Sequence, residues 1–171
     1  MDKKWILIII ILIVGCFFLH NIVDSSTTVG NAITVVNKSV VTLPDGFSIG
    51  ESEKNSVELL DEKTGEKIYI TDLGKTDSAQ NEYNEALQSL EYDSNTYIIN
   101  NYTSVINNTN TYLITFENHT VNTNPVYLAY IYSCNHTFRM EFQNYYDNNG
   151  LNDDLNFIVS TISPDFKQSQ D

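Results

Sequence analysis

Between Trp5 and Leu19 the chain carries no charged or strongly polar side chain, and no other feature restricts it as tightly. A helix that packs on a soluble core shows polar residues along one face at the 3.6-residue period, but Ile6 to Val14 has none on any face. Continued to Val23 the run is 19 residues long, about 28 Å of helix at ~1.5 Å per residue, close to the ~30 Å hydrocarbon core of a bilayer. Residues 5–23 therefore read as an N-terminal transmembrane helix, and 1–23 as a membrane anchor.

Three membrane routes fit this segment. In an uncleaved signal-anchor, Lys3 and Lys4 stay inside and everything after about Val23 lies outside. In a secreted protein the run is a cleaved signal peptide. In a lipoprotein, Ile13-Val14-Gly15-Cys16 resembles the lipobox and Cys16 takes the lipid, although Phe17-Phe18-Leu19 keeps the sequence apolar past the would-be cleavage site. That continuation favours the signal-anchor. All three routes place the domain outside the cytoplasm, on the cell membrane in a single-pass arrangement under the first.

Charge agrees with export. The chain carries −13, and since Asp2, Lys3 and Lys4 together contribute +1, the remainder carries −14. Nucleic acid is excluded as a partner, because binding it rests on clustered cations. Five sequons, at Asn37, Asn101, Asn107, Asn118 and Asn135, are candidate N-glycosylation sites. Composition alone, with 21 Asn and 30 Ser+Thr in 171 residues, produces about four such sequons, so their number needs no selection for glycans. Cys134 stands alone in the exported domain while Cys16 lies in or at the membrane, so Cys134 reads as a buried apolar residue rather than a partner in a bridge within the chain.

Residues 24–32 are small and polar and read as a linker. The following stretch, 33–166, patterns as one α+β domain, with 167–171 as a tail. Ile33–Val36 and Ser39–Thr42 are β-branched and stop at Leu43-Pro44-Asp45-Gly46, and Phe47–Gly50 follows as a short strand. Ser56–Leu60 and Lys67–Thr71 alternate around a polar loop and predict a hairpin. From Ser78 to Tyr92 the period becomes helical, with Ala79, Tyr83, Ala86, Leu87 and Leu90 on one face. Strands are expected at Tyr97–Ile106 and Thr111–Glu117. Val126–Tyr132 is apolar or aromatic throughout and reads as a central strand covered on both faces. Thr137–Gln143 alternates, with Phe138, Met140 and Phe142 inward. Leu151–Ile162 closes the domain as a helix presenting Leu151, Leu155, Ile158, Val159 and Ile162 on one stripe, and Pro164 ends it.

This order of elements, with the opening Val41-Thr42-Leu43-Pro44-Asp45-Gly46-Phe47 and the closing Phe157-Ile158-Val159-Ser160-Thr161-Ile162, resembles the PsbP-like family of α/β/α sandwiches. The resemblance implies an antiparallel sheet with two packed helices, and an extrinsic or membrane-tethered protein that acts by binding other proteins. It carries over no catalytic residue, because that family has no shared catalytic motif.

Chemistry leaves few traces. His119 and His136 are the histidines of the exported part; both lie inside sequons and read as exposed loop residues, with no nucleophile motif beside them. No zinc spacing and no glycine-rich phosphate loop occurs, so no cofactor is expected. Asp147–Asp154 is rich in oxygen ligands but lacks an acid at Tyr145 and a Glu at Asn156, so a helix start whose first turn attracts Asn152, Asp153 and Asp154 explains it better than a calcium loop. Glu51, Glu53, Glu58 and Glu66 are acids that a hydrolase would need to gather into one cleft. Tyr127, Tyr130, Tyr132, Tyr145 and Tyr146 suit sheet packing more than an aromatic platform. The expected function is a membrane-tethered extracytoplasmic binding module without catalytic activity, whose partners are the membrane, through residues 5–23, and other surface proteins. The alternative is an extracytoplasmic hydrolase using acidic residues.

Overall fold

The computed structural model describes residues 33–164 except 38, 77 and 121. The expected anchor, linker and tail, and Cys16, lie outside the described residues. Among those described, no helix is long and apolar enough to cross a membrane.

Two antiparallel sheets form. The larger has seven strands: β3 (Ser48–Ser52), β4 (Ser56–Leu60), β5 (Lys67–Gly74), β6 (Thr96–Ile106), β7 (Thr109–Asn118), β8 (Asn122–Ser133) and β9 (His136–Gln143), in the spatial order β3-β4-β5-β9-β8-β7-β6. The smaller joins β1 (Ile33–Val36), β2 (Ser39–Thr42) and the two-residue β10 (Ser163–Pro164). The expected Ser56–Leu60 hairpin is present, with Ser56 opposite Thr71 and Leu60 opposite Lys67. Its loop turns on Gly65, at φ 77°, whose N–H reaches the Asp61 carbonyl at 2.8 Å. The two-residue turns β6–β7 and β8–β9 put Asn107-Asn108 and Cys134-Asn135 at positive φ, the geometry that matches the twist of the flanking strands.

Each face of the large sheet receives one helix. Helix α1 (Ala79–Tyr92) is capped by Ser78, whose Oγ accepts the Asn81 N–H at 3.1 Å. It lies on β6, β7 and β8, where Ala79 and Tyr83 meet Ile114, Leu128 and Tyr130, and Ala86, Leu87 and Leu90 pack at the margin. On the other face, Leu151, Leu155, Ile158 and Val159 of α2 (Asn148–Thr161) join Val36 and Val41 of the small sheet, and Leu43 just after it, over Val57, Leu59, Ile68, Ile70, Ala129, Ile131, Phe138, Met140 and Phe142. The uninterrupted apolar run of β8 follows from this layering, since Leu128 and Tyr130 serve one core while Ala129 and Ile131 serve the other. β8 is interior, one place from the middle of the seven; β9 holds the middle.

Helix α2 begins three residues before the expected Leu151. Asp147 is its N-cap and accepts the Asn149 N–H at 2.9 Å, so the helix is nucleated earlier. Asp153 and Asp154 consequently lie beyond the first turn, and the proposed dipole attraction does not explain them.

Candidate functional site

Coverage of the sheet is unequal. Arg139 and Glu141 of β9 stand opposite Tyr130 and Leu128 of β8 and so share their face. Helix α1 packs over the β6-β7-β8 half of that face. The half built from β3, β4, β5 and β9 is instead a polar cleft of about 330 Å³, lined by Glu51, Glu53, Glu58, Tyr69, Arg139 and Glu141, with Ser56, Val57, Thr71 and Gln143. Three of the four acids singled out in the sequence therefore meet here, while Glu66 is not among the lining residues. Glu141 and Arg139 were not singled out. Their signal is the alternation within β9, in which Arg139, Glu141 and Gln143 alternate with Phe138, Met140 and Phe142.

Glu58 is the organised member. Lys67 Nζ donates to its Oε1 at 2.6 Å, Tyr69 Oη–H donates to the same oxygen at 3.0 Å, and the Glu51 N–H reaches Oε2 at 3.4 Å. The Lys67 hydrogen bond, more than any other contact, holds the Glu58 carboxyl below the usual carboxylate range, and reciprocally raises the Lys67 ammonium. Burial and then Glu58 push the Tyr69 phenol up. Gly50 makes room for this arrangement: a Cβ there would stand 2.8 Å from Glu58 Oε2. An ionised carboxylate fixed by a cation and a phenol can attract a positive group but has no proton to donate.

The carboxyl whose pKa is raised lies elsewhere. Asp154 accepts the Tyr145 hydroxyl at 2.7 Å, and burial is the main cause of its upward shift. Tyr145 itself is buried and its phenol is pushed far up, again chiefly by burial. Asp154 does not line the polar cleft. Among the described residues no group of three His, Cys, Asp or Glu side chains could hold a metal ion.

His136 is not the exposed loop residue expected. Its side chain is 14% exposed, and Nδ1 lies within 2.9 Å of both oxygens of Asp72, whose side chain is wholly buried. The reason is tertiary: β9 pairs with β5, which carries Asp72. Asn37 donates its Nδ2 to the same carboxylate at 2.8 Å, and the Gly74 N–H does so at 2.7 Å. His119 is exposed as expected.

The sequons differ in setting. Asn107 and Asn135 are exposed at turns, while Asn37 is tied to Asp72 and Asn101 accepts the Tyr83 hydroxyl at 3.2 Å. Asn118 Oδ1 accepts the N–H and hydroxyl of Thr120. In the Asn135 sequon the hydroxyl of Thr137 is buried against Thr76 Oγ1 at 2.6 Å. Cys134 is partly buried, at φ 56°, with Sγ 3.5 Å from Ser133 Oγ. The five tyrosines do not gather: Tyr130 and Tyr145 are buried in different cores, Tyr127 is half-buried, and Tyr132 and Tyr146 are exposed.

No protein-family model matches the sequence, and no curated protein matches it. Its structure is similar to the solution structure of cyanobacterial PsbP (CyanoP) from Synechocystis sp. PCC 6803, with a TM-score of 0.52 over 82% of this chain and 97% of that one. The chain has a PsbP-like fold. Identity between the two is 11%, so what the PsbP-like chain shares is architecture, and the roles of its residues rest on its own geometry. A protein from Bacteroides thetaiotaomicron VPI-5482 also aligns, at 11% identity and a TM-score of 0.48, over 79% of this chain; the PsbP-like chain spans 48% of that one.

Proposed function

We propose that this protein is a non-catalytic binding module, tethered to a membrane through residues 5–23 and presented outside the cytoplasm, that meets other surface proteins through the polar half of its sheet. The observation that carries the reading is the state of Glu58. A hydrolase built on two carboxyls needs one that keeps its proton beside one that has lost it. The best-organised acid of the cleft is held ionised by Lys67 and Tyr69, and the carboxyl whose pKa is raised, Asp154, does not line the cleft beside it. An open, mixed-charge surface with acids in excess suits a partner with basic groups, and attraction of that kind acts mainly on encounter and specificity.

Binding of an oligolysine peptide to the full-length chain tests this. Saturable binding is expected, weakened several-fold by the Glu53→Gln/Glu141→Gln pair and by raising the salt from about 0.05 to 0.15 M. Turnover of a glycoside substrate that disappears with either Glu58→Gln or Glu141→Gln would establish the hydrolase instead.

A further inference from the structure

We infer that β6 is an interface for a second copy of this chain, which lays its own β6 antiparallel across a two-fold axis and makes the two large sheets continuous. β6 is the last strand of its sheet and has no partner on its outer side among the described residues. An open edge offers a row of unpaired N–H and C=O groups, which proteins usually blunt with short strands, bulges or charge. The opposite edge has all three: β3 is five residues long, its register shifts between Ile49 and Ser52, and it carries Glu51. β6 is eleven residues long without a charge or a proline. Its single register shift, between Ile98 and Asn100, leaves Asn100–Ile106 regular. Tyr97, Ile99, Tyr102 and Val105, all large and apolar, are exposed along it, with Tyr97 at 62% and Val105 at 65%.

Charge selects the occupant. Two copies of a chain at −13 repel wherever their acids face each other. From Ser94 to Phe138, however, Glu117 is the sole Asp, Glu, Lys or Arg. This stretch contains β6, β7 and β8, so one half of the sheet is nearly free of charge while the other half holds the polar cleft. A two-fold axis sets each strand against itself, an arrangement that a neutral strand accepts and an acidic one does not. A basic partner gains nothing from the neutral edge and is drawn to the acidic half. The two surfaces are therefore separate, and this interface does not depend on the binding function proposed above.

Mass measurement of the full-length chain in mild detergent over a dilution series, paired with hydrogen exchange of the β6 amides that point away from β7, tests the interface. A dimer that dissociates on dilution is expected, with these outward amides losing protection over the same concentration range. Ile99→Glu/Thr103→Glu should weaken dimerisation on the order of tenfold or more, because it places like charges opposite one another. Thr103→Val, and Ser52→Glu on the β3 edge, should leave the association unchanged. The wild-type exchange profile reads the same interface without any substitution, should the double variant fail to fold. A chain monomeric at every concentration would overturn the inference, as would a dimer indifferent to the paired glutamates. Protection of the outward-pointing β6 amides that persists in the monomer would also overturn it, since a segment of the same chain would then cover the edge.

Discussion

Nδ1 of His136 lies 2.9 Å from Oδ1 and 2.8 Å from Oδ2 of Asp72, two residues 64 positions apart in the chain. Asn37 and the Gly74 N–H complete the hydrogen bonding of that carboxylate, and the Asp72 N–H donates to the Asn55 carbonyl. One buried side chain thus fastens the β1–β2 turn, the end of β5 and the start of β9, while the backbone of the same residue holds the β3–β4 turn. Burying a carboxylate is costly unless its oxygens are satisfied, and here they are.

Removing members of this junction should unfold the domain by unequal steps. Asp72→Ala leaves His136 and Asn37 without their shared partner and should cost about 3 kcal/mol or more. Asn37→Ala deletes one donor and should cost about 1–2 kcal/mol. Denaturant midpoints measure both, and an Asp72→Ala loss below that of Asn37→Ala would contradict the junction.

Leu128 and Ile131 lie in opposite cores, Leu128 under α1 and Ile131 fully buried on the α2 side. Leu128→Asp and Ile131→Asp should each unfold the domain, because an unpaired buried charge costs several kcal/mol against a total stability of about 5–15 kcal/mol. Far-ultraviolet circular dichroism that stayed native for either variant would contradict the two-sided burial of β8.

Stability should respond to pH through two carboxyls of opposite sign. Glu58 has a lowered folded pKa, so its contribution is present above the ordinary carboxylate pKa and is lost as pH falls through the folded value. Glu58→Gln should therefore flatten the acid limb. Asp154 has a raised folded pKa, so its contribution is present below the ordinary value and is lost as pH rises through the folded one. Asp154→Asn, which can still accept the Tyr145 hydroxyl, should remove that loss and raise stability at neutral pH relative to acid. Urea midpoints between about pH 3 and 8 separate the two, and a shift of the same sign in both variants would refute the assignment.

The apolar run at residues 5–23 predicts that Lys3 and Lys4 lie inside and the domain outside. Protease added to intact cells or protoplasts should digest the domain, and full protection would refute the orientation. If Cys16→Ala alone released the protein from membranes, the anchor would be a lipid rather than a helix.

Features written in neighbouring residues were legible without tertiary structure. The 3.6-residue stripe of Leu151, Leu155, Ile158, Val159 and Ile162, the alternation of Phe138, Met140 and Phe142, and the doubly apolar run of β8 each declare which side of an element is buried; the first two are buried accordingly, and the β8 run is buried from Leu128 to Ile131, while Tyr132 at its end is exposed. The order of these elements was enough to suggest the PsbP-like arrangement. What the sequence alone did not settle depends on pairs distant in the chain. His136 looks like any loop histidine until the pairing of β9 with β5 brings it to Asp72. Glu51, Glu53 and Glu58 become one surface with Glu141 because β4, β5 and β9 lie side by side, and they remain open because α1 covers the neighbouring half instead. Periodicity reports how a residue meets its own element, through geometry repeated every two or 3.6 residues. It carries no information about which element arrives on the other side; strand order and helix placement are decided by how the whole set of apolar faces can be buried at once.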